Sequence, residues 1–162
     1  LCDQVLVCPS MEGEIHDHKN YLQGIDINTG KLLWKRDGGF HYYQRHPVTG
    51  NLYGFAHGLY EVTDPTSGKI LVEKKFAGEL WSAQHMNCLG GDGLYFVGGE
   101  NTCEGEFNSK FGKINIEKHE IAFVQHLDAP KGTKADPPQY HNNRLYVKDT
   151  LDVLHVYEQE RL

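Results

Sequence analysis

Apolar and polar positions alternate in short runs along this chain, and no long segment keeps apolar residues at the three-four spacing of an amphipathic helix. Alternation with a period of two predicts β-strands, because successive side chains point to opposite faces of a sheet. In the first half the runs are Gln4–Cys8, Tyr21–Ile27, Leu32–Arg36, Phe40–Arg45, Leu52–Ala56, Leu59–Thr63 and Ile70–Phe76. Leu80–Met86, Leu94–Val97, Phe111–Ile116, Glu120–His126, Gln139–His141, Leu145–Lys148 and Val153–Glu158 continue the series. Pro9–Lys19 and Gly98–Ser109 read as polar loops and Asp128–Pro138 as a linker. Val48-Thr49-Gly50-Asn51 and Gly90-Gly91-Asp92-Gly93 read as turns.

One turn is written twice. Asp26-Ile27-Asn28-Thr29-Gly30-Lys31 joins two alternating runs, and Asp64-Pro65-Thr66-Ser67-Gly68-Lys69 repeats it 38 residues later. Asp bonds back to nearby amides and Gly takes the positive φ that a tight turn needs. A second repeat gives the register: Leu52-Tyr53, Leu94-Tyr95 and Leu145-Tyr146 each follow a Gly or Asn turn. Each unit then has four antiparallel strands, the second opening on Leu-Tyr and the third ending at the turn. Phe40–Phe76 and Leu80–His126 are whole units, the unit before them lacks its first strand and the unit after them lacks its last. Four-stranded units repeated near 40 residues predict an all-β fold, a small β-propeller of about four blades in one domain over residues 1–162.

The hairpin resembles the blade signature of the pyrroloquinoline-quinone-like propellers, in which Asp, two variable residues and Thr-Gly precede an aliphatic strand ending in Trp. Asp26, Thr29, Gly30, Leu33 and Trp34 match it closely. The second copy keeps Asp64, Gly68 and Lys69 but carries Ser67 and Val72, and the third, from Asn115 to Phe123, has no Gly. Quinone-binding enzymes of that family use larger rings, a calcium site and vicinal cysteines. This chain has no vicinal cysteines, so the resemblance implies a non-catalytic binding scaffold with no cofactor.

Composition narrows the partner. The 162 residues carry a net charge of −6, which argues against a nucleic-acid surface and favours a basic partner. No apolar run approaches a membrane-spanning length, no signal peptide is visible at Leu1-Cys2-Asp3-Gln4, and Cys2, Cys8, Cys88 and Cys103 lack metal-knuckle spacing. The expectation is a cytoplasmic protein with reduced thiols and no membrane partner. Gly-x-Ser-x-Gly, phosphate-loop and His-Glu-x-x-His motifs are absent. His16-Asp17-His18 with Glu12 and Glu14 has metal-ligand chemistry but no fixed geometry, so no metal is assigned. His41, His85 and His141 are expected on inner strands, where hydrogen-bonded histidines of a polar channel are the plainer reading. Lys31, Lys35, Arg36, Lys69, Lys74 and Lys75 fall on outer strands, where charge blunts sheet edges. Trp81 falls out of register at the start of an inner strand and reads as core.

Two insertions carry the functional signal. From Leu52 to Asp64 the second unit takes 12 residues, but from Leu94 to Asn115 the third takes 21, and the first is similarly long. The extra residues, Met11-Glu12-Gly13-Glu14-Ile15-His16 and Cys103-Glu104-Gly105-Glu106-Phe107-Asn108, share Glu-Gly-Glu. They predict two acidic arms on one face, with Glu12, Glu14, Ile15, Asp17, Glu104, Glu106 and Phe107 contacting a protein partner. The expected function is a non-catalytic binding propeller, an immunity-type inhibitor of a basic, nuclease-type toxin. The alternatives are a small-molecule- or metal-binding propeller, enzyme or lectin, or half of a larger propeller.

Overall fold

The computed structural model describes residues 4–14, 17–76, 86–99, 109–130 and 132–158, and only the backbone of Glu14, Asp17 and His18. Among these residues there are fourteen strands and no helix. The first sheet contains β1 (Val5–Glu14), β2 (Asp17–Asp26) and β3 (Leu32–Asp37), paired in that order. The second contains β4 (Gln44–Arg45), β5 (Leu52–Ala56), β6 (Leu59–Thr63) and β7 (Ile70–Lys75). The third is built from β8 (Asn87–Gly90), β9 (Gly93–Gly98), β10 (Lys110–Asn115) and β11 (Glu120–His126), and the fourth from β12 (Gln139–His141), β13 (Arg144–Lys148) and β14 (Leu154–Glu158). Each sheet is a meander, two with four strands and two with three, and the fold is a small β-propeller.

The repeated turn explains where the strands stop. Asp26 Oδ1 accepts from the amides of Asn28 and Thr29 at 2.8 and 2.9 Å, its carbonyl accepts from Gly30, and Gly30 takes φ 69°. Asp64 repeats this with Thr66, Ser67 and Gly68, the last at φ 71°. The third unit keeps the turn without glycine. Asn115 Oδ1 accepts from Glu117 and Lys118 at 3.1 and 2.8 Å, and His119 takes the fifth position at φ 55°. A fourth copy joins β4 to β5, where His46 Nδ1 accepts from Val48 and Thr49 and Gly50 takes φ 75°.

Several strand limits differ from the sequence pattern. Pro9–Lys19 is not a loop, because β1 and β2 stay paired from Val5↔Asp26 to Glu14↔Asp17. The polar residues fit a strand because Met11, Glu12, Gly13, Lys19 and Asn20 are exposed to solvent. β4 is reduced to Gln44–Arg45, since Gly38 and Gly39 take φ 71° and 100° and delay regular pairing. β8 starts at Asn87, so Gly90 ends a strand and the turn is Gly91-Asp92; residues 80–85 lie outside the described residues.

The chain divides into two compact units, Leu1–Gly54 with Tyr60–Glu73 and Phe55–Leu59 with Lys74–Leu162. In unit 1 the Trp34 ring lies against Gly24 and Gly68, where any Cβ would overlap it, and its Nε1 donates to Pro65 O at 3.0 Å. Unit 2 is packed through apolar and aromatic groups. Tyr95, Val97, Phe111, Leu145 and Val147 are fully buried, with Tyr140 stacked on Tyr95 at 5.1 Å. Gly90 leaves the space that the Tyr140 ring fills.

Candidate functional site

The β1–β2 hairpin outruns its sheet. β3 pairs with β2 only as far as Tyr21↔Asp37, so Met11 to Asn20 form a two-stranded ribbon beyond it. Register assigns the faces. Val7, Pro9 and Met11 share one face with Leu22, Gly24, Trp34 and Arg36, while Glu12 and Lys35 belong to the other. Glu12 is exposed but ion-paired with Lys35, whose ammonium lies 3.8 Å from the centre of the Tyr21 ring.

On the Val7 face, unit 1 holds a cleft of about 240 Å³. Val7, Pro9 and Leu22 line it with aliphatic surface, and Phe40, Tyr42 and Tyr43 supply aromatic surface. His41 and Arg45 bring the polar groups, and Leu52 completes the lining. The aromatic residues are placed by the Gly38-Gly39 bend and by Gly54, where a Cβ would meet the Phe40 ring. Met11 is 63% exposed and Tyr42 58%, so both the ribbon and the cleft mouth present apolar surface to solvent.

Behind the aromatic wall is a buried polar cluster. Arg36 Nη2 donates to Tyr43 Oη at 3.0 Å, to Thr63 Oγ1 at 3.2 Å and to Glu61. Tyr43 and Thr63 each donate to Glu61 Oε1 at 2.6 Å, and the Phe40 amide donates to Tyr43 Oη. Burial pushes the Tyr43 phenol well above its ordinary value, and the Glu61 carboxylate adds to the shift. Tyr43 is thus a neutral donor that fixes the cleft wall. The edge-blunting role expected of Arg36 does not hold: its guanidinium is turned inward, because Arg36 shares the parity of Trp34.

The other sequence candidates separate. Glu14 and Asp17 are opposed at the ribbon tip, while Ile15, Glu104, Glu106 and Phe107 lie outside the described residues, as do His16, Trp81, His85, Cys2 and Cys103. His41 lines the cleft of unit 1 and His141 is exposed on β12 of unit 2. Cys8 and Cys88 are free thiols, and burial pushes Cys88 up to about 12, which leaves it a poor nucleophile. No group of three or more His, Cys, Asp or Glu converges for a metal among the described residues. Sequence reasoning missed the Phe40–Arg45 wall by assigning it to a strand. The paired Gly38-Gly39 before a Tyr-rich segment was the available signal.

No family model matches the chain, and no curated protein matches it. Solved structures do. The chain is similar to BamB from Moraxella catarrhalis, with 14% identity and a TM-score of 0.59 over 92% of this chain and 42% of that one. It is similar to the computationally designed Ika4 protein, with 14% identity and a TM-score of 0.59 over 96% and 92% of the two chains. AztD from Citrobacter koseri gives 13% identity and a TM-score of 0.54 over 94% and 44%. The chain thus spans under half the length of BamB and AztD. These likenesses show a β-propeller fold.

Proposed function

We propose that this chain is a non-catalytic protein-binding propeller that engages its partner through the cleft-bearing face of the β1–β2 ribbon. The observation that carries this reading is Met11, 63% exposed where the β1–β2 ribbon leaves β3, on the face of Val7 and Pro9. An apolar side chain held out on a paired ribbon beside an aromatic cleft is costly to leave in water and gains from being covered. The net charge of −6 favours a basic partner by steering encounter. Glu14 and Asp17, whose backbones pair at the ribbon tip, extend the proposed surface, and Ile15, Glu104, Glu106 and Phe107 extend it on sequence grounds. Neutralising a basic, nuclease-type toxin in the cytoplasm is the role that this charge suits.

The test is affinity capture from the native host, followed by titration of the captured partner against variants. Met11→Asp should weaken binding at least tenfold with the fold unchanged by circular dichroism. Reversing Glu12, Glu14, Glu104 and Glu106 to Lys should slow association and reduce its salt dependence. A partner that binds both variants as it binds the parent chain rules the reading out.

A further inference from the structure

We propose that the turn joining β4 to β5 is an acid-sensitive latch on the cleft: the bare Nδ1 of His46 closes it, and a proton on that nitrogen opens it. The latch belongs to the turn itself and stands whether or not the cleft binds a protein.

Three of the four copies of this turn are closed by an oxygen, from the Asp26 and Asp64 carboxylates and the Asn115 amide. Hydrogen bonds within the turns hold both carboxylates below their ordinary value, so these oxygens remain acceptors in mild acid. In the fourth copy His46 Nδ1 accepts from the Val48 amide at 3.2 Å and the Thr49 amide at 3.1 Å. An imidazole nitrogen accepts only while it is bare, and in the charged ring both nitrogens are donors. Two amides aimed at Nδ1 therefore fix the tautomer, and a proton there would turn donor against donor. Imidazole is the side chain that ordinarily changes charge between about pH 5 and 8.

The surroundings do not offset a charge on this ring. Its face toward β5 meets Tyr53, with ring centres 5.8 Å apart, and Tyr53 in turn meets Tyr60 of β6. Burial pushes both phenols above their ordinary value, so they stay neutral across that pH range. On β4 the Arg45 guanidinium reaches to Gly50 of the same turn, so a charged His46 would add a like charge. Among the described residues no carboxylate pairs with His46.

The turn also sits where its opening reaches the cleft. β4 pairs with β5 only through Gln44↔Tyr53 and Arg45↔Leu52. The turn follows directly, with the His46 amide donating to Asn51 O at 2.8 Å and the Gly50 amide to His46 O at 3.0 Å. Arg45 and Leu52 both line the cleft. Losing the two bonds to Nδ1 therefore loosens the pair that carries this part of the lining.

A pH titration of the isotope-labelled 162-residue chain, followed by nuclear magnetic resonance, tests this. From about pH 7.5 down to about pH 5, the Val48 and Thr49 amide signals should move upfield in step with charging of the His46 ring. The Arg45 and Leu52 amides should shift with them. His46→Asn, which supplies the kind of acceptor that Asn115 supplies, should hold all four signals in place. The latch is overturned if the Val48 and Thr49 signals stay fixed while the His46 ring charges, or if His46→Asn moves them as the parent chain does. Turn amides that move while Arg45 and Leu52 do not would overturn its hold on the cleft.

Discussion

The two units fasten their sheets by different physics. Unit 1 uses Trp34 against Gly24 and Gly68 together with the Arg36, Glu61, Tyr43 and Thr63 cluster, so a buried ion pair stands behind its cleft. Unit 2 relies on aromatic and aliphatic contact, with Phe111 and Tyr157 rings 4.3 Å apart and Phe55 and Phe96 rings 4.7 Å apart. Apolar packing tolerates a changed side chain if volume is kept. A buried ion pair tolerates almost nothing that leaves one charge behind. The difference places the strictly specified geometry in the unit that carries the candidate site.

The largest expected effect breaks the polar fastening. Glu61→Ala should cost about 3–5 kcal/mol in urea unfolding, since it strands the Arg36 charge in a site where Glu61 is only 3% exposed. Replacing both Arg36 and Glu61 with Leu should recover most of that stability while loosening Tyr43, so partner binding should fall although the fold holds. Trp34→Ala comes next, at about 3 kcal/mol by the same unfolding measurement, because the half-buried ring fills the space over two glycines.

In unit 2, Tyr140→Leu should cost only about 1 kcal/mol, as the ring stack on Tyr95 is lost but the apolar contact largely stays. His119→Gly should stabilise by up to about 1 kcal/mol, because φ 55° is strained for histidine, and thermal unfolding reads it. A loss there would mean that the imidazole contributes more than its backbone costs.

Acid acts on both units through carboxylates. The Ser67 hydroxyl and turn amides hold Asp64 below its ordinary value near 3.8, and Lys113 does so for Asp92. The hydrogen bond with His155 likewise lowers Asp149. In each case the unfolded chain takes up the proton first, so stability present above the ordinary value drains as pH falls below it. Melting followed from pH 6 down to about pH 2.5 should show this, and Asp64→Asn should flatten part of the slope.

Much of the architecture was legible because hairpins write themselves locally. Leu-Tyr openings and Asp-to-Gly turns located the two whole units and the two shortened ones, since each depends on residues within one turn of the chain. The ribbon was hidden because Glu12 and Lys19 look like loop residues unless their pairing partner is known. His46 and His119 were hidden for another reason: an imidazole in the acceptor role and a histidine at positive φ carry no compositional mark. Arg36 was recoverable from parity with Trp34, two residues earlier. The cleft depends on residues from Val7 to Leu52, and no short window contains it.

The fourfold turn also bears on how quickly the molecule can assemble. Each copy closes within five residues through its own side chain and backbone, and among the described residues every ladder joins strands that are neighbours in sequence. Loops to be closed are therefore short, and hairpins of this kind form on the order of microseconds. Slow folding of all-β proteins comes from pairing strands that are distant along the chain, and none of these ladders requires it. As the chain emerges from synthesis, each meander can pair before the next is complete, which limits the time that its strand edges stand uncovered.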